Sequence, residues 1–216
     1  MTKPLALLLV LATAAFAEDK PKFELPKPDA DGKISVFNGK DLTGWYGDTN
    51  LFKVDNGEIV GKTEKGIKQN EFLKSQFEVG DFRLVLQIKL VPNSANSGVQ
   101  FRSVPFKGNE MKGYQADAGQ GWWGKLYEES GRGLLVKEGG EQWLNKDEWN
   151  TYEVVAVGHH ILTAINGHKC VDLDDPQGAA SGIFGLQVHA GGPTEVRFKD
   201  LKLELNPKPE LTTLKR

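Results

Sequence analysis

One cysteine in 216 residues, Cys170, excludes any disulfide within the chain and, far from the N-terminus, cannot serve as a lipid-anchor cysteine behind a leader. An excess of charge of either sign is also missing. The 27 Lys and Arg nearly balance the 29 Asp and Glu, for a formal charge of −2, so nothing in the composition invites nucleic acid or an anionic membrane. No stretch keeps a helical apolar period, and no repeat of fixed length recurs. The one long apolar run lies at the N-terminus.

That run, Leu5 to Phe16 in "MTKPLALLLVLATAAFA", follows Lys3 and ends in Ala15-Phe16-Ala17, the order of a signal peptide with an A-x-A cleavage site. It is shorter than the roughly 20 apolar residues of a membrane span, which makes an uncleaved anchor the weaker reading. Residues 1–17 are therefore expected to be removed, which would take the formal charge to −3 and leave a periplasmic or secreted protein without a membrane anchor. Residues 18–33 and 206–216 are rich in Pro and charge, and read as a leader and a flexible tail around a single domain over 34–205.

What fills that domain is short alternating segments separated by Gly, Asn and Asp: "DGKISVFNG", "FKVDNGEIVGK", "FRLVLQIKLV", "SGVQFRS", "GYQAD", "TYEVVAVG", "HILTAINGHKCVDL", "IFGLQVHA" and "EVRFKDLKLEL". Asn-Gly at 56–57 and 166–167 predicts two-residue hairpins, because both central positions of a type I′ turn need positive φ. The pattern is all-β, and this many short antiparallel strands must close as a barrel or stack as two sheets.

Three of these strands carry a glutamine with an ionisable residue two positions on, hence on the same face: Gln100 with Arg102, Gln115 with Asp117, and Gln187 with His189. Each pair alone reads as solvated surface. Three of one kind on neighbouring strands would line a polar cleft whose amides, guanidinium, carboxylate and imidazole suit sugar hydroxyls.

The stretches "VFNGKDLTGW" (Val36 to Trp45), "NSGVQFRS" (Asn96 to Ser103), "WNTYEVVAVGHHILTAINGHKCVD" (Trp149 to Asp172) and "GIFGLQVHAGGPTEVRFKDLKL" (Gly182 to Leu203) resemble the 3-keto-disaccharide hydrolase domain family. The resemblance runs from about Ile34 to Leu205. It implies a concanavalin A-like jelly roll of two antiparallel sheets with a sugar-sized cleft, a 3-keto-glycoside substrate, and a partner oxidoreductase that makes the 3-keto sugar. No cofactor is expected.

The chemistry of such a substrate can be argued from its functional groups. An ordinary glycoside is cleaved between two carboxyl groups, whereas a 3-ketone acidifies the C2 hydrogen, so that one base can start an elimination of the C1 substituent before water adds back. The site then needs a base that titrates near neutrality, donors for an enolate, and an acid for the leaving oxygen. His189 is the expected base, Arg102 the fixed positive charge, and Asp117 the residue that orients or replaces the histidine. Tyr127 and Glu128 are the candidate acids. Gln100, Gln115 and Gln187 would bind hydroxyls, and Trp122 and Trp123, in a glycine-rich loop, would offer a ring-stacking face. Against this, Arg102 and Asp117 could form a plain ion pair, and His159, His160 and His168 read as hairpin residues with no metal role. Trp45 and Trp149 read as core. A carbohydrate-binding jelly roll without catalysis is the alternative function, and an envelope interaction module a third.

Overall fold

The computed structural model describes residues 23–215, so the expected signal peptide lies outside the described residues, as does the start of the leader. The described residues form fifteen strands, in chain order β1 (Ile34–Ser35), β2 (Trp45–Tyr46), β3 (Phe52–Asp55), β4 (Glu58–Thr63), β5 (Glu71–Val79), β6 (Phe82–Val91), β7 (Asn96–Pro105) and β8 (Met111–Gly119). There follow β9 (Leu126–Glu129), β10 (Gly133–Val136), β11 (Asn150–Val157), β12 (His160–Ile165), β13 (His168–Asp174), β14 (Gly182–Val188) and β15 (Thr194–Leu205). A single 3-10 turn, Glu141–Trp143, is the only helical element among the described residues.

The strands pair antiparallel into two sheets, one ordered β13-β12-β11-β6-β15-β4-β3 with β1 on β15, the other β10-β9-β8-β7-β14-β5-β2. This is a jelly-roll sandwich. Alternation builds its core: along β6, Phe82, Leu84, Leu86, Ile88 and Leu90 point inward from one sheet, and Val99, Phe101, Tyr114, Ala116, Phe184 and Leu186 meet them from the other. Phe82 packs edge-on against Phe184 at 4.9 Å, and Phe101 stacks on Tyr114 at 5.3 Å. Each such buried side chain contributes about 1.5–3 kcal/mol. The expected hairpins are present, with φ of 50° and 79° at Asn56-Gly57 and 50° and 83° at Asn166-Gly167.

Three local features go beyond or against the sequence pattern. The "GKLYEESGRGLL" stretch extends the second sheet as the β9–β10 hairpin, because β8 offers it a free edge to pair with. Strand β5 was hidden by its mixed "EFLKSQFEV" pattern, which buries Phe72, Lys74 and Ser75 on one side or the other of the strand between β14 and β2. The tail is not loose: backbone N–H and hydroxyl groups of Thr212 and Thr213 donate to the buried Glu153 carboxylate at 2.6–3.1 Å, which replaces the hydration the segment would otherwise keep.

Candidate functional site

Because Val99, Phe101, Tyr114 and Ala116 face the core, their alternates on β7 and β8, Gly98, Gln100, Gln115 and Asp117, face outward from the second sheet. Register places Gly98 opposite Asp117, Gln100 opposite Gln115, and Gln115 opposite Tyr127 on β9. A cleft of 390 Å³ opens over this face. Gln115, Asp117, Tyr127, Glu129, Trp122 and His189 line it, with Asn96, Gln120, Ser94 and Ala95 closing one side.

A directed row of hydrogen bonds ends on Asp117. Ser103 Oγ donates to Gln100 Oε1 at 2.6 Å, Gln100 Nε2 donates to Gln115 Oε1 at 3.1 Å, and Gln115 Nε2 donates to Asp117 Oδ1 at 2.7 Å. Gly98 makes room for this row, since a Cβ there would stand 2.7 Å from the Gln115 amide carbon. Asp117 Oδ2 is buried and has no protein partner. Burial raises the carboxyl to a pKa of about 7, helped by the charge of Glu129 and opposed by the Gln115 hydrogen bond and by Lys125. A carboxyl that titrates near neutral pH, with one oxygen tied and the other free, is equipped to take a proton.

His189 lies one residue beyond the end of β14, half-buried, and its Nδ1 is 2.6 Å from the Ala190 carbonyl. That contact makes Nδ1 the donor and leaves Nε2 free. Glu129 stands near it: burial and Glu110 raise the Glu129 carboxyl, and His189 pulls it back. Trp122 presents an exposed indole, edge-on to Tyr127 at 6.1 Å and under the Lys125 ammonium at 5.3 Å.

Several expected site residues stand elsewhere. Arg102 is not in the cleft. A register shift between Phe101 and Val104, with Arg102 at φ 46°, turns its side chain to the end of the sandwich. There its guanidinium donates to the Gly80 carbonyl at 3.1 Å, the Gly158 carbonyl at 2.7 Å and Asp81 at 3.0 Å, pinning two hairpin turns. Glu128 points to the opposite side of β9 and pairs with Arg132, which also holds Asp175. Trp123 is 2% exposed and packs in the core, its indole N–H on Asn93 Oδ1 at 2.8 Å. Gln100 is fully buried behind Gln115, and Gln187 is fully buried with both amide atoms unpartnered.

Alternation could have found Glu129, two residues from Tyr127 on the same face, and Asn96, two before Gly98. Of the other aromatics, Trp45 is core, with its N–H on the Val36 carbonyl, whereas Trp149 is only half-buried beneath Lys199. His160 pairs with Asp172, and His168 stacks on Trp143. Among the described residues, no group of three or more His, Cys, Asp or Glu is placed to hold a metal ion. Burial pushes the Cys170 thiol up to about 11, away from nucleophilic use.

Solved structures share the fold at low identity. A candidate glycosyl hydrolase from Parabacteroides distasonis aligns at 20% identity and a TM-score of 0.62, over 81% of this chain and 94% of its own. A carbohydrate binding module from Bacillus subtilis aligns at 18% and 0.56, over 74% and 95%. A Bacillus subtilis protein of unknown function with a galectin-like fold aligns at 9% and 0.58, over 80% and 94%. No curated protein matches the chain. The sequence profile of one family covers residues 32–204, which is most of the chain and the whole sandwich except the last residue of β15. The chain belongs to the 3-keto-alpha-glucoside-1,2-lyase-like domain family.

Proposed function

We propose that this domain is a carbohydrate-active enzyme that cleaves 3-keto-glycosides, with Asp117 as the base that removes the C2 hydrogen. The observation that carries the proposal is the buried, unpartnered Oδ2 of Asp117 in the cleft wall, on a carboxyl raised to about 7. A 3-ketone is the feature that lets so weak a base act, because the C2–H electrons pass into an enolate. As the proton moves to Asp117, the enolate forms at O3, where the Tyr127 hydroxyl and the amides of Asn96 and Gln120 are the available donors. Collapse of the enolate makes C1=C2 and breaks the C1–O bond. Water then adds its hydroxyl to C1 and Asp117 returns the proton to C2, so that glycoside and water become 3-keto sugar and alcohol. The fixed charge expected of Arg102 is absent from this route. Lys125, whose charge reaches Asp117, is the cation in its place.

The supply of substrate would fall to an oxidoreductase acting at C3, and the signal-peptide pattern of residues 1–17 supports a periplasmic or secreted setting. Aglycone release from a 3-keto-glucoside and from the unoxidised glucoside tests the proposal. Release is expected from the ketone alone, with Asp117→Asn slower by about a hundredfold or more. Equal release from the unoxidised sugar would favour a two-carboxylate route through Asp117 and Glu129. Saturable binding with no release from either would favour the second reading, a carbohydrate-binding domain, which the exposed Trp122 beside a polar cleft also fits.

A further inference from the structure

Beside the first cleft lies a second lobe of 410 Å³, and the two share Ser94, Ala95, Asn96 and His189. Beyond that seam the linings differ in kind. The first lobe carries Asp117, Glu129, Gln115 and Tyr127, whereas the second is walled by Pro92, Ala190, Gly192, Pro193 and Thr194 and carries no carboxylate. Each lobe is by itself of the size that holds a small molecule. A substrate spanning both would place the bond between its halves at the seam, next to the imidazole. His189 Nδ1 is engaged by the Ala190 carbonyl, so the nitrogen left to meet that bond is Nε2.

We infer that the second lobe holds the leaving group of the glycoside, and that His189 is the acid that protonates the departing oxygen from Nε2. The inference rests on the proposed function and adds what that reading leaves open, the acid and the leaving-group subsite. In the elimination the C1–O electron pair goes to the leaving oxygen, which takes the proton of imidazolium Nε2. In the return step the neutral imidazole takes a proton from water as the hydroxyl adds to C1, and Asp117 restores the C2 hydrogen, so both groups end as they began. The lobe's paucity of charged groups means that it accepts the alcohol half by shape and apolar contact, from an aryl group to a second sugar ring.

The test uses three substrates: methyl, 4-nitrophenyl and glucosyl 3-keto-glucosides. The nitrophenolate leaves without a proton, so His189→Ala should lose about a hundredfold on the methyl glycoside and under about tenfold on the nitrophenyl one. In D2O, His189→Ala should still exchange the C2 hydrogen of the methyl glycoside above the solvent background, whereas Asp117→Asn should lose exchange and release together. A Cβ on Gly192 meets nothing within 4 Å, so the side chain of Gly192→Phe starts in open space at the wall of the lobe. It should raise KM for the disaccharide about tenfold or more, and by a clearly smaller factor for the methyl glycoside. Equal losses on methyl and nitrophenyl substrates, or loss of C2 exchange in His189→Ala, would overturn the role of His189. Equal effects of Gly192→Phe on large and small leaving groups would overturn the lobe. Wild-type protein inert towards all three ketones would instead overturn the proposed function, and this inference with it.

Discussion

Replacing Asp117 by Asn should make the protein more stable and less active, and the gain in stability should depend on pH. The Asp117 carboxyl titrates at about 7 in the folded protein against an ordinary value of 3.8. Between those two values the folded state keeps a proton that the unfolded chain has released, so stability is lost as pH rises through this window. Three pKa units at 1.36 kcal/mol each give a loss on the order of 4 kcal/mol by pH 8, and none below pH 4. Asparagine can still accept from Gln115 at the Oδ1 position but carries no charge, so it escapes that loss. Urea unfolding of both proteins at pH 4, 6 and 8 is the assay: the difference in unfolding free energy, variant minus wild type, should grow by about 2–4 kcal/mol from the lowest pH to the highest. A difference that stays constant within about 1 kcal/mol would mean that Asp117 is not held against ionisation, and the argument for it as the base would fail with it.

The two neighbouring tryptophans should separate cleanly. Trp122→Ala should weaken sugar binding by about 1–3 kcal/mol in calorimetry with little change in Tm, whereas Trp123→Ala should cost about 3–5 kcal/mol of stability, read by denaturant unfolding. Arg102→Ala should cost about 3 kcal/mol or more in the same unfolding assay, since it strips donors from the Gly80 and Gly158 carbonyls, while KM stays as in the wild type. Glu153→Ala should lose about 3–5 kcal/mol and release the C-terminal segment to proteolysis, again without an effect on KM.

The sandwich was legible because period-two alternation holds along most strands, and because Asn-Gly at two hairpins admits little but a tight turn. Asp117 and Gln115 were legible for the same reason, both sitting on an unbroken alternating stretch. Arg102 shows where that rule ends. Its position follows the alternation of Val99 and Phe101 until a bulge inserts a residue, and the bulge depends on how β7 meets β8 and β14, which no local pattern states. Glu128 and Glu129 differ for another reason: Glu128 adjoins Tyr127 in sequence, but only Glu129, two residues on, shares its face of β9. Trp122 and Trp123 lie in a turn, where neither alternation nor helical period applies, and only the packing of Trp123 against Asn93 and the core distinguishes them.

Buried charge occurs in two forms in this molecule, and the contrast separates structure from function. Glu153 is completely buried, yet its carboxylate accepts from the backbone and hydroxyl of both Thr212 and Thr213 and lies 3.1 Å from Arg83 Nε. Arg83 in turn pairs with Glu204 and donates to the carbonyls of Lys208 and Glu210. Such a group has its lone pairs used, which is how a charge is retained for cohesion. Asp117 is nearly as buried, but one oxygen has a single donor and the other has none. Gln187, on the same outward face, leaves a whole amide unpartnered. An unpartnered buried polar group costs about 1–3 kcal/mol, and apolar residues at these two positions would remove that cost. The core-facing side of these strands has no comparable defect; elsewhere among the described residues the only side-chain atoms buried without a hydrogen bond are Thr163 Oγ1 and Arg83 Nε. A fold this well packed can carry a few unsatisfied groups, and the one that stands in the cleft wall, Asp117 Oδ2, is the one a substrate could complete.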